Sequence, residues 1–189
     1  MLCLGARIGT ECKAFVDLGA FPIGVDLNPG PENRYVVYGD FHQLQFADAS
    51  IDWVFTNALD HAFDLDWMVA EAVRVLKPGG GMLAEIVGGS KDEHGRNPGE
   101  FESLWWDKVE DVFAVLTKHG LVVERRETFT FPWKGHLVLF RLEPGGAIGR
   151  GARGLGMASG RFLPALMRPP ESRRPAVGHG DGPTGRVAA

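Results

Sequence analysis

A glycine-containing turn and one acidic residue give the first chemical indication in this 189-residue sequence. Residues 4–9 read Leu-Gly-Ala-Arg-Ile-Gly, and Asp26 follows Gly5 by 21 positions at the end of the next predicted strand. Glycines let the backbone approach a ligand, and a helix N-terminus offers unpaired N–H groups. An acid about 20 residues further on accepts hydrogen bonds from ribose hydroxyls. The pattern indicates a nucleoside site, although such a turn also occurs as a purely structural connection.

The spacing of the glycines favours one class of nucleoside ligand over another. Gly5 and Gly9 are separated by three residues, whereas pyrophosphate sites use a Gly-x-Gly-x-x-Gly turn. A nucleoside without phosphates therefore fits better than a dinucleotide. An oxidoreductase that binds a nicotinamide dinucleotide stays open as an alternative.

The first third of the chain predicts the elements that hold this turn. Residues 1–4 are an apolar run typical of a strand buried on both faces, and a helix capped by Thr10 should follow and end at Gly19. Residues 23–27 are a second short strand, which completes a βαβ unit. The turn-forming residues 28–33 leave no room for a helix before a strand at 35–38.

The rest of the core continues this alternation. Strands are predicted at 51–56 and 82–87, with a helix at 66–77 between them that Pro78-Gly79-Gly80 ends. A polar loop at 88–99 precedes a helix at 101–119, and strands at 121–130 and 135–142 form an antiparallel pair. The predicted fold is an α/β, three-layer Rossmann-like sandwich with a mostly parallel seven-stranded sheet and an antiparallel C-terminal strand.

Composition divides the chain into two parts. Residues 144–189 hold 11 Gly, 6 Pro and 7 Arg against two acids, a net charge of +5, so residues 1–143 carry −9. The second part has too few bulky apolar side chains to offset its ordering entropy, and we expect a disordered tail. Its Arg-Gly stretch at 151–156 is compatible with binding to nucleic acid or an anionic membrane, or with a plain solvated end. Residues 155–168 have the length of a short helix.

Several classes of protein are disfavoured. No run approaches the ~20 apolar residues that span a bilayer, and no secretory signal opens the sequence, so we expect a cytoplasmic protein. Cys3 and Cys12 are the only cysteines, too few for a disulfide framework or a four-ligand zinc site. We predict two small buried side chains and no metal site.

Four further segments, in order, make the sequence resemble the class I S-adenosylmethionine-dependent methyltransferases. They are Gly39-Asp40-Phe41-His42 before Leu-Gln-Phe, residues 51–57 (Ile-Asp-Trp-Val-Phe-Thr-Asn), Leu59-Asp60-His61, and residues 74–80 (Arg-Val-Leu-Lys-Pro-Gly-Gly). The resemblance covers residues 1 to about 88. It implies a methyltransferase with S-adenosyl-L-methionine as cofactor and S-adenosyl-L-homocysteine as product.

The resemblance also implies which residues bind the cofactor. The turn formed by Gly5, Ala6, Arg7 and Gly9 would contact its methionine part. Asp26, followed by Leu27, would hold the ribose, Asp40 would accept from the adenine amine, and Phe41 would flank the adenine. Asn57 would border the site at the carboxyl edge of the sheet, where open α/β sheets bind ligands. Residues 74–80 are expected to be architectural.

Two positions depart from the family pattern of acid-x-Gly-x-Gly-x-Gly. Cys3 stands for the acid and Arg7 for the middle glycine. The Arg7 guanidinium either pairs with the cofactor carboxylate or points to solvent, and position alone does not decide between these. His61 is the candidate catalytic residue, a general base on an acceptor hydroxyl or amine, with capping of the turn or covering of the cofactor as alternatives.

The methyl acceptor is not identified by the sequence. Residues 56–59 are not the Asn-Pro-Pro-aromatic run used on planar amines, and no cysteine stands where pyrimidine-carbon methylases place one, so a nucleic acid substrate is disfavoured. We predict a small-molecule or sugar oxygen or nitrogen acceptor. Because family members carry helices before the first strand, we expect the cover here to come from the 88–99 loop and the region around Trp133, from a homodimer or partner subunit, or from a preceding segment. A non-catalytic cofactor-binding subunit is the alternative to an active enzyme.

Overall fold

The structure, a computed structural model, describes residues 1–131 and 133–144. The predicted tail at 144–189, with its Arg-Gly stretch at 151–156 and its short helix at 155–168, lies outside the described residues apart from Pro144.

Within the described residues, seven strands form one sheet. They are β1 (Leu2–Leu4), β2 (Ile23–Asp26), β3 (Val36–Tyr38), β4 (Ile51–Thr56), β5 (Leu76–Val87), β6 (Leu121–Phe129) and β7 (Gly135–Leu142). Their order is β3-β2-β1-β4-β5-β7-β6, with parallel pairing from β3 to β5 and antiparallel pairing of β7 with both neighbours. The prediction of a mostly parallel seven-stranded sheet with an antiparallel C-terminal strand is confirmed.

Helices pack on both faces of this sheet, which gives the predicted three layers. The helices are α1 (Thr10–Asp17), α2 (Leu65–Val75) and α3 (Val109–Lys118), and a single 3-10 turn spans Leu59–His61. On one face the ring of Phe15 from α1 meets the ring of Phe55 from β4, with 5.2 Å between centroids. On the other face α2 and α3 bury Val69, Val112 and Leu116 against the sheet. Alternate residues of each strand point to opposite faces, and because both faces are covered, β1 is apolar and buried along its whole length.

The start of α1 differs from its prediction. Gly9, and not Thr10, is the residue before the helix, and it has φ 75° and no capping side chain. The Gly9 N–H donates to the Ala6 carbonyl at 2.6 Å, a tight turn that needs the left-handed conformation. Glycine adopts this conformation at little cost, so the turn and not a Thr10 side chain sets the start of the helix.

The predicted boundary between α2 and β5 is also displaced. The helix ends at Val75 instead of Lys77, and Leu76 already pairs with Ile51 of β4. Pro78 and Gly79 therefore lie within β5, where the register shifts between Ile51 and Trp53. Proline has no N–H to donate to the hydrogen-bond ladder of a sheet. A strand therefore tolerates proline at an irregular stretch such as this one.

The predicted helix at 101–119 is wrong in its first half. The helix starts at Val109, and residues 101–108 form irregular backbone. The N–H groups of Ser103 and Leu104 both donate to the Asp60 carbonyl, at 2.9 and 3.0 Å. These long-range hydrogen bonds replace those of a first helical turn, because the segment is held against the turn that follows β4.

Arg74 anchors α2 to the loop that follows β3. Its guanidinium donates to both carboxylate oxygens of Glu71 and to the Phe46 and Leu44 carbonyls at 2.7–2.9 Å, and it also pairs with Asp48. These hydrogen bonds from Arg74 lower the pKa of the Glu71 carboxyl. The predicted architectural role of the segment at 74–80 is thus visible at its first residue.

Replacing Arg74 by alanine should lower the free energy of unfolding by about 3 kcal/mol, since Glu71 and two carbonyls lose their donor. The loss should be largest above pH 5 and shrink at lower pH, because a carboxyl with a lowered pKa stabilises the fold only where it is ionised. Urea denaturation at pH 7 and pH 4 measures both. Lys77→Ala is the control: Lys77 makes an exposed pair with Asp52, and its removal should cost about 0.5 kcal/mol at most. Equal losses in the two variants would contradict the anchoring role.

Candidate active site

The predicted site residues lie in one row along the carboxyl edge of the sheet. Asp40 follows β3, Asp26 ends β2, Gly5 follows β1 and Asn57 follows β4. Neighbouring strands are about 4.8 Å apart, so the row spans about 14 Å across four strands. The structure therefore brings these residues together in an order that an elongated ligand can follow.

The glycine turn has a strongly curved backbone. Gly5, Arg7 and Gly9 have φ values of 71°, 37° and 75°, all in the left-handed region. The N–H groups of Gly5 and Ala6 both donate to the Val25 carbonyl of β2, at 2.9 and 3.2 Å. Arg7 occupies the position of the family's middle glycine and keeps the left-handed conformation there, at a cost of about 1 kcal/mol.

The side chain of Arg7 is exposed, whereas its backbone takes part in the site. Its N–H donates to Asp26 Oδ2 at 2.9 Å, and its carbonyl accepts from Asn33 Nδ2 at 3.0 Å. The exposure leaves the guanidinium free to reach a ligand or solvent. Its pairing with a cofactor carboxylate stays a prediction.

Asp26 joins the turn to the end of β2. Besides the Arg7 N–H on Oδ2, its Oδ1 accepts the Asn28 N–H at 2.7 Å. An ionised carboxylate has about four acceptor positions, so two remain for hydroxyl donors. Leu27, the next residue, is 51% exposed and borders the same edge. This arrangement fits a ribose with two neighbouring hydroxyl groups.

Asn33 is a structural residue of the site that sequence reasoning missed. Its Nδ2 donates to the carbonyls of Arg7 and Pro29, and its Oδ1 accepts the N–H groups of Tyr35 and Val36. It thereby ties the glycine turn to the loop between β2 and β3. An asparagine just before a strand, inside a turn-rich segment, is the pattern that indicates such a clamp.

Asp40 lies at the outer end of the row. Its Oδ1 accepts both the backbone N–H of His42 at 2.8 Å and His42 Nδ1 at 2.9 Å. The Asp40 side chain is 47% exposed, and Phe41 beside it is partly buried against the core. An exposed carboxylate beside an aromatic ring fits the amine and the face of an adenine.

The turn after β4 closes the other end of the row. Thr56 is buried, donates to the Leu4 carbonyl at 3.4 Å and accepts the Ala58 N–H at 3.1 Å, which holds the ends of β1 and β4 together. Asn57 is exposed, as expected for a residue that borders a ligand. The single 3-10 turn then carries Asp60 and His61.

His61 is held by the segment that precedes α3. Its Nδ1 lies 3.0 Å from the Phe101 carbonyl, and its side chain is 48% exposed. A carbonyl can only accept, so Nδ1 carries the proton and Nε2 is left as the basic nitrogen. Nε2 lies 3.9 Å from Asp60 Oδ1. The Phe101 carbonyl thus fixes the ring through Nδ1, and the role of His61 as a general base stays a prediction.

Asp60 is a buried carboxylate that the sequence interpretation did not single out as functional. Its side chain is 10% exposed, and burial raises the pKa of the Asp60 carboxyl against the opposing charges of His61 and Arg96. Arg96 lies 3.7 Å from Asp60 and donates to Glu102 at 2.9 Å, and its guanidinium covers the Trp105 ring at 5.3 Å. The 88–99 loop, one of the predicted covers, thus reaches this turn through Arg96.

The tryptophans near the site differ in burial. Trp106 is buried and donates to the Val87 carbonyl, and it stacks on Trp105 at 5.4 Å. Trp67 and Trp133 are about half exposed.

Cys3 and Cys12 are both fully buried free thiols, as predicted. The hydrogen bond between them, together with burial, raises the pKa of the Cys3 thiol.

Residues 2–84 match the methyltransferase domain family. The match covers the glycine turn, the row of acids and the turn after β4, and it agrees with the strand order of the sheet. The chain therefore contains a class I S-adenosylmethionine-dependent methyltransferase domain, and the methyl donor of that family is S-adenosyl-L-methionine.

Individual relatives agree with this class. Malonyl-[acyl-carrier protein] O-methyltransferase 1 of Coxiella burnetii is 43% identical over 91 residues, which are 45% of this chain and 32% of that protein. The chain thus spans about a third of that relative's length. Among solved structures, an S-adenosylmethionine-dependent methyltransferase of Methanosarcina mazei superposes with a TM-score of 0.57 at 18% identity, covering 75% of this chain and 91% of that one.

A second solved structure is a complex from Haloferax volcanii between the Trm112 methyltransferase activator and its methyltransferase partner. It superposes with a TM-score of 0.59 at 21% identity and covers 76% of this chain and 81% of that one. At this identity the likeness shows the fold. No helix of the described residues is long and apolar enough to span a membrane.

Proposed function

We propose that this chain transfers a methyl group from S-adenosyl-L-methionine to an oxygen or nitrogen of a small molecule or a sugar. The observation that carries the proposal is the row of Asp40, Asp26, the glycine turn and Asn57 along one edge, in the order adenine, ribose, methionine and acceptor. A dinucleotide fits less well, because its pyrophosphate needs glycines at the turn, and this turn has Arg7 in place of one of them. Bound S-adenosyl-L-methionine supplies an activated methyl group on a sulfonium, and the protein supplies position and proton acceptance.

Each group in the row has a proposed task. Asp26 would accept from the ribose hydroxyls, and Asp40 with Phe41 would hold the adenine. Gly5, Ala6, Arg7 and Gly9 would line the methionine part, with Leu27 and Asn57 bordering the ends. His61, in the 3-10 turn that follows β4, would then lie on the acceptor side.

The acceptor would sit between the turn after β4 and the segment around Arg96. Among the described residues, Trp105 Nε1 is a buried hydrogen-bond donor with no partner. An unsatisfied buried donor costs about 1–3 kcal/mol of stability unless a hydrogen-bond acceptor reaches it. Arg96 adds further donors in the same cluster. These donors favour an acceptor molecule that carries oxygen atoms.

Calorimetry and a transfer assay test the proposed function. Titration with S-adenosyl-L-homocysteine should give saturable heat, and titration with NAD should give none. Incubation with methyl-labelled S-adenosyl-L-methionine and a metabolite extract should move label into a product other than the protein. Binding of NAD alone would overturn the proposal, and binding without transfer would indicate a non-catalytic cofactor-binding subunit.

Substitution of His61 by glutamine should lower kcat about 100-fold for a hydroxyl or amine acceptor, because His61 Nε2 would no longer take the acceptor proton. A carboxylate acceptor is already deprotonated at neutral pH, so its kcat should change less than threefold. Steady-state kinetics on the identified acceptor measure this. A matched control is His119→Gln, a histidine at the end of α3 that pairs with Asp66. If kcat on a hydroxyl acceptor is unchanged, His61 is not the general base, and capping of the turn or covering of the cofactor is its role instead.

We further propose that a second polypeptide completes the site. The solved Haloferax complex pairs a protein of this fold with an activator, and Phe63, Phe101 and Phe131 here are each about 80% exposed beside the carboxyl ends of the strands. A homodimer is the simplest partner. Light scattering with and without S-adenosyl-L-homocysteine should show twice the chain mass; a monomer that is fully active on its acceptor would contradict this proposal.

A further inference from the structure

His42 is a buried histidine whose two ring nitrogens both have partners, although the proposed function gives it no task. Its side chain is 6% exposed, and it lies two residues after Asp40. Nδ1 is 2.9 Å from Asp40 Oδ1, and Nε2 is 3.3 Å from the Asp64 backbone N. Both nitrogens of this buried ring are thus satisfied, and one of the two partners is the carboxylate proposed to hold the adenine.

The partners of His42 determine the tautomer of its neutral ring. The Asp64 N–H can only donate, so Nε2 must accept, and the ring proton of the neutral imidazole lies on Nδ1. Nδ1–H then donates to Asp40 Oδ1, which also accepts the backbone N–H of His42 at 2.8 Å. Two donors on one oxygen fix the rotation of the Asp40 carboxylate. Its other oxygen, Oδ2, is left for a ligand.

The histidine itself is held from the start of α2. Asp64 precedes that helix, and its side chain accepts the Trp67 N–H at 3.0 Å. The rings of Phe63 and Trp67 pack on His42 with centroid distances of 6.1 and 5.6 Å. A continuous path of contacts thus runs from the N-terminus of α2 through His42 to Asp40.

We propose that His42 is a positioning residue that orients Asp40 Oδ2 toward the 6-amino group of the adenine and so makes the site select a 6-aminopurine nucleoside over a 6-oxopurine one. The inference rests on the proposed function. A carboxylate oxygen held in one direction accepts from an amine and repels a carbonyl oxygen, whereas a carboxylate that can rotate does so less. His42 therefore contributes to selectivity without touching the ligand.

The test compares two ligands that differ at this one position of the purine. Calorimetry of the full chain with S-adenosyl-L-homocysteine and with S-inosyl-L-homocysteine gives two dissociation constants. The selectivity is the ratio of the constant for the inosyl ligand to the constant for the adenosyl ligand. In His42→Phe the ratio should fall about tenfold, the equivalent of one lost orienting hydrogen bond, mainly through weaker adenosyl binding. His42→Asn keeps a donor near the position of Nδ1 and should restore most of the ratio. His119→Phe is the control: His119, at the end of α3, pairs with Asp66 in the first turn of α2, so this variant removes a histidine–aspartate pair that does not include Asp40.

The outcomes separate this inference from the proposed function. If the unaltered protein binds neither ligand, the proposed function fails. If it binds S-adenosyl-L-homocysteine but His42→Phe weakens both ligands equally or leaves the ratio unchanged, His42 is only structural and the inference is overturned. Nitrogen-15 NMR of the unaltered protein needs no variant to fold: the Nδ1–H tautomer of His42 at neutral pH supports the inference, and the Nε2–H tautomer overturns it.

Discussion

Replacing Asp26 by alanine should raise the dissociation constant for S-adenosyl-L-homocysteine about 1000-fold. Hydrogen bonds to an ionised group contribute about 1.5–3 kcal/mol each, and we expect two of them from the ribose hydroxyls. The same carboxylate accepts the N–H groups of Arg7 and Asn28, so the variant also loses the hydrogen bonds that shape the glycine turn. Calorimetry at constant ionic strength measures the effect.

The control for Asp26→Ala is Asp52→Ala, which makes the same change of charge. Asp52 is 64% exposed, is the second residue of β4 near the opposite edge of the sheet and pairs with Lys77, so its removal should leave the dissociation constant within twofold. Urea denaturation of both variants separates a binding defect from unfolding. If Asp26→Ala is folded and binds within tenfold of the unaltered protein, Asp26 does not hold the ribose.

The residues of the row could be predicted because each lies where a short local pattern ends. Gly5 and Asp26 each follow an apolar run, and the parallel strands then place them at the same edge. The carboxyl edge was therefore predictable down to single positions.

The contacts around the row were not predictable, because they join residues that are distant along the chain. His42 gives no local indication that Asp64, 22 positions later, will donate to it. Asp60 and Arg96 are likewise brought together only by the path of the loop after β5. Hydrogen-bond networks of this kind depend on tertiary geometry and not on periodicity.

The error over residues 101–108 has a definite physical origin. Leu104, Lys108 and Val112 recur at intervals of four, which is the spacing of a helix face. Tertiary contacts override that preference, since the N–H groups of Ser103 and Leu104 are bound by the Asp60 carbonyl. The segment that departs from its local preference is the one that contacts the candidate catalytic turn, which is where such departures are expected.

The glycine turn offers the sharpest test of how β1 and β4 are held together. A Cβ on Gly5 would lie 2.5 Å from the Cβ of Ala58, and Gly5 has φ 71°. Gly5→Ala should therefore lower the free energy of unfolding by about 4 kcal/mol, from left-handed strain of about 1–2 kcal/mol and overpacking of about 2 kcal/mol. Denaturation in urea measures the sum.

Two further variants separate the two causes. Gly79→Ala meets no atom within 4 Å and has φ 76°, so it should show the strain alone, about 1–2 kcal/mol. Ala58→Gly removes the facing methyl group, and in combination with Gly5→Ala it should recover about 2 kcal/mol as a coupling energy. If the double variant is no more stable than Gly5→Ala, the cost lies in the backbone alone. A coupling of this size would mean that the contact with Ala58 accounts for a large part of the need for glycine at position 5, so that the glycine turn and the turn carrying His61 are built as one packed unit.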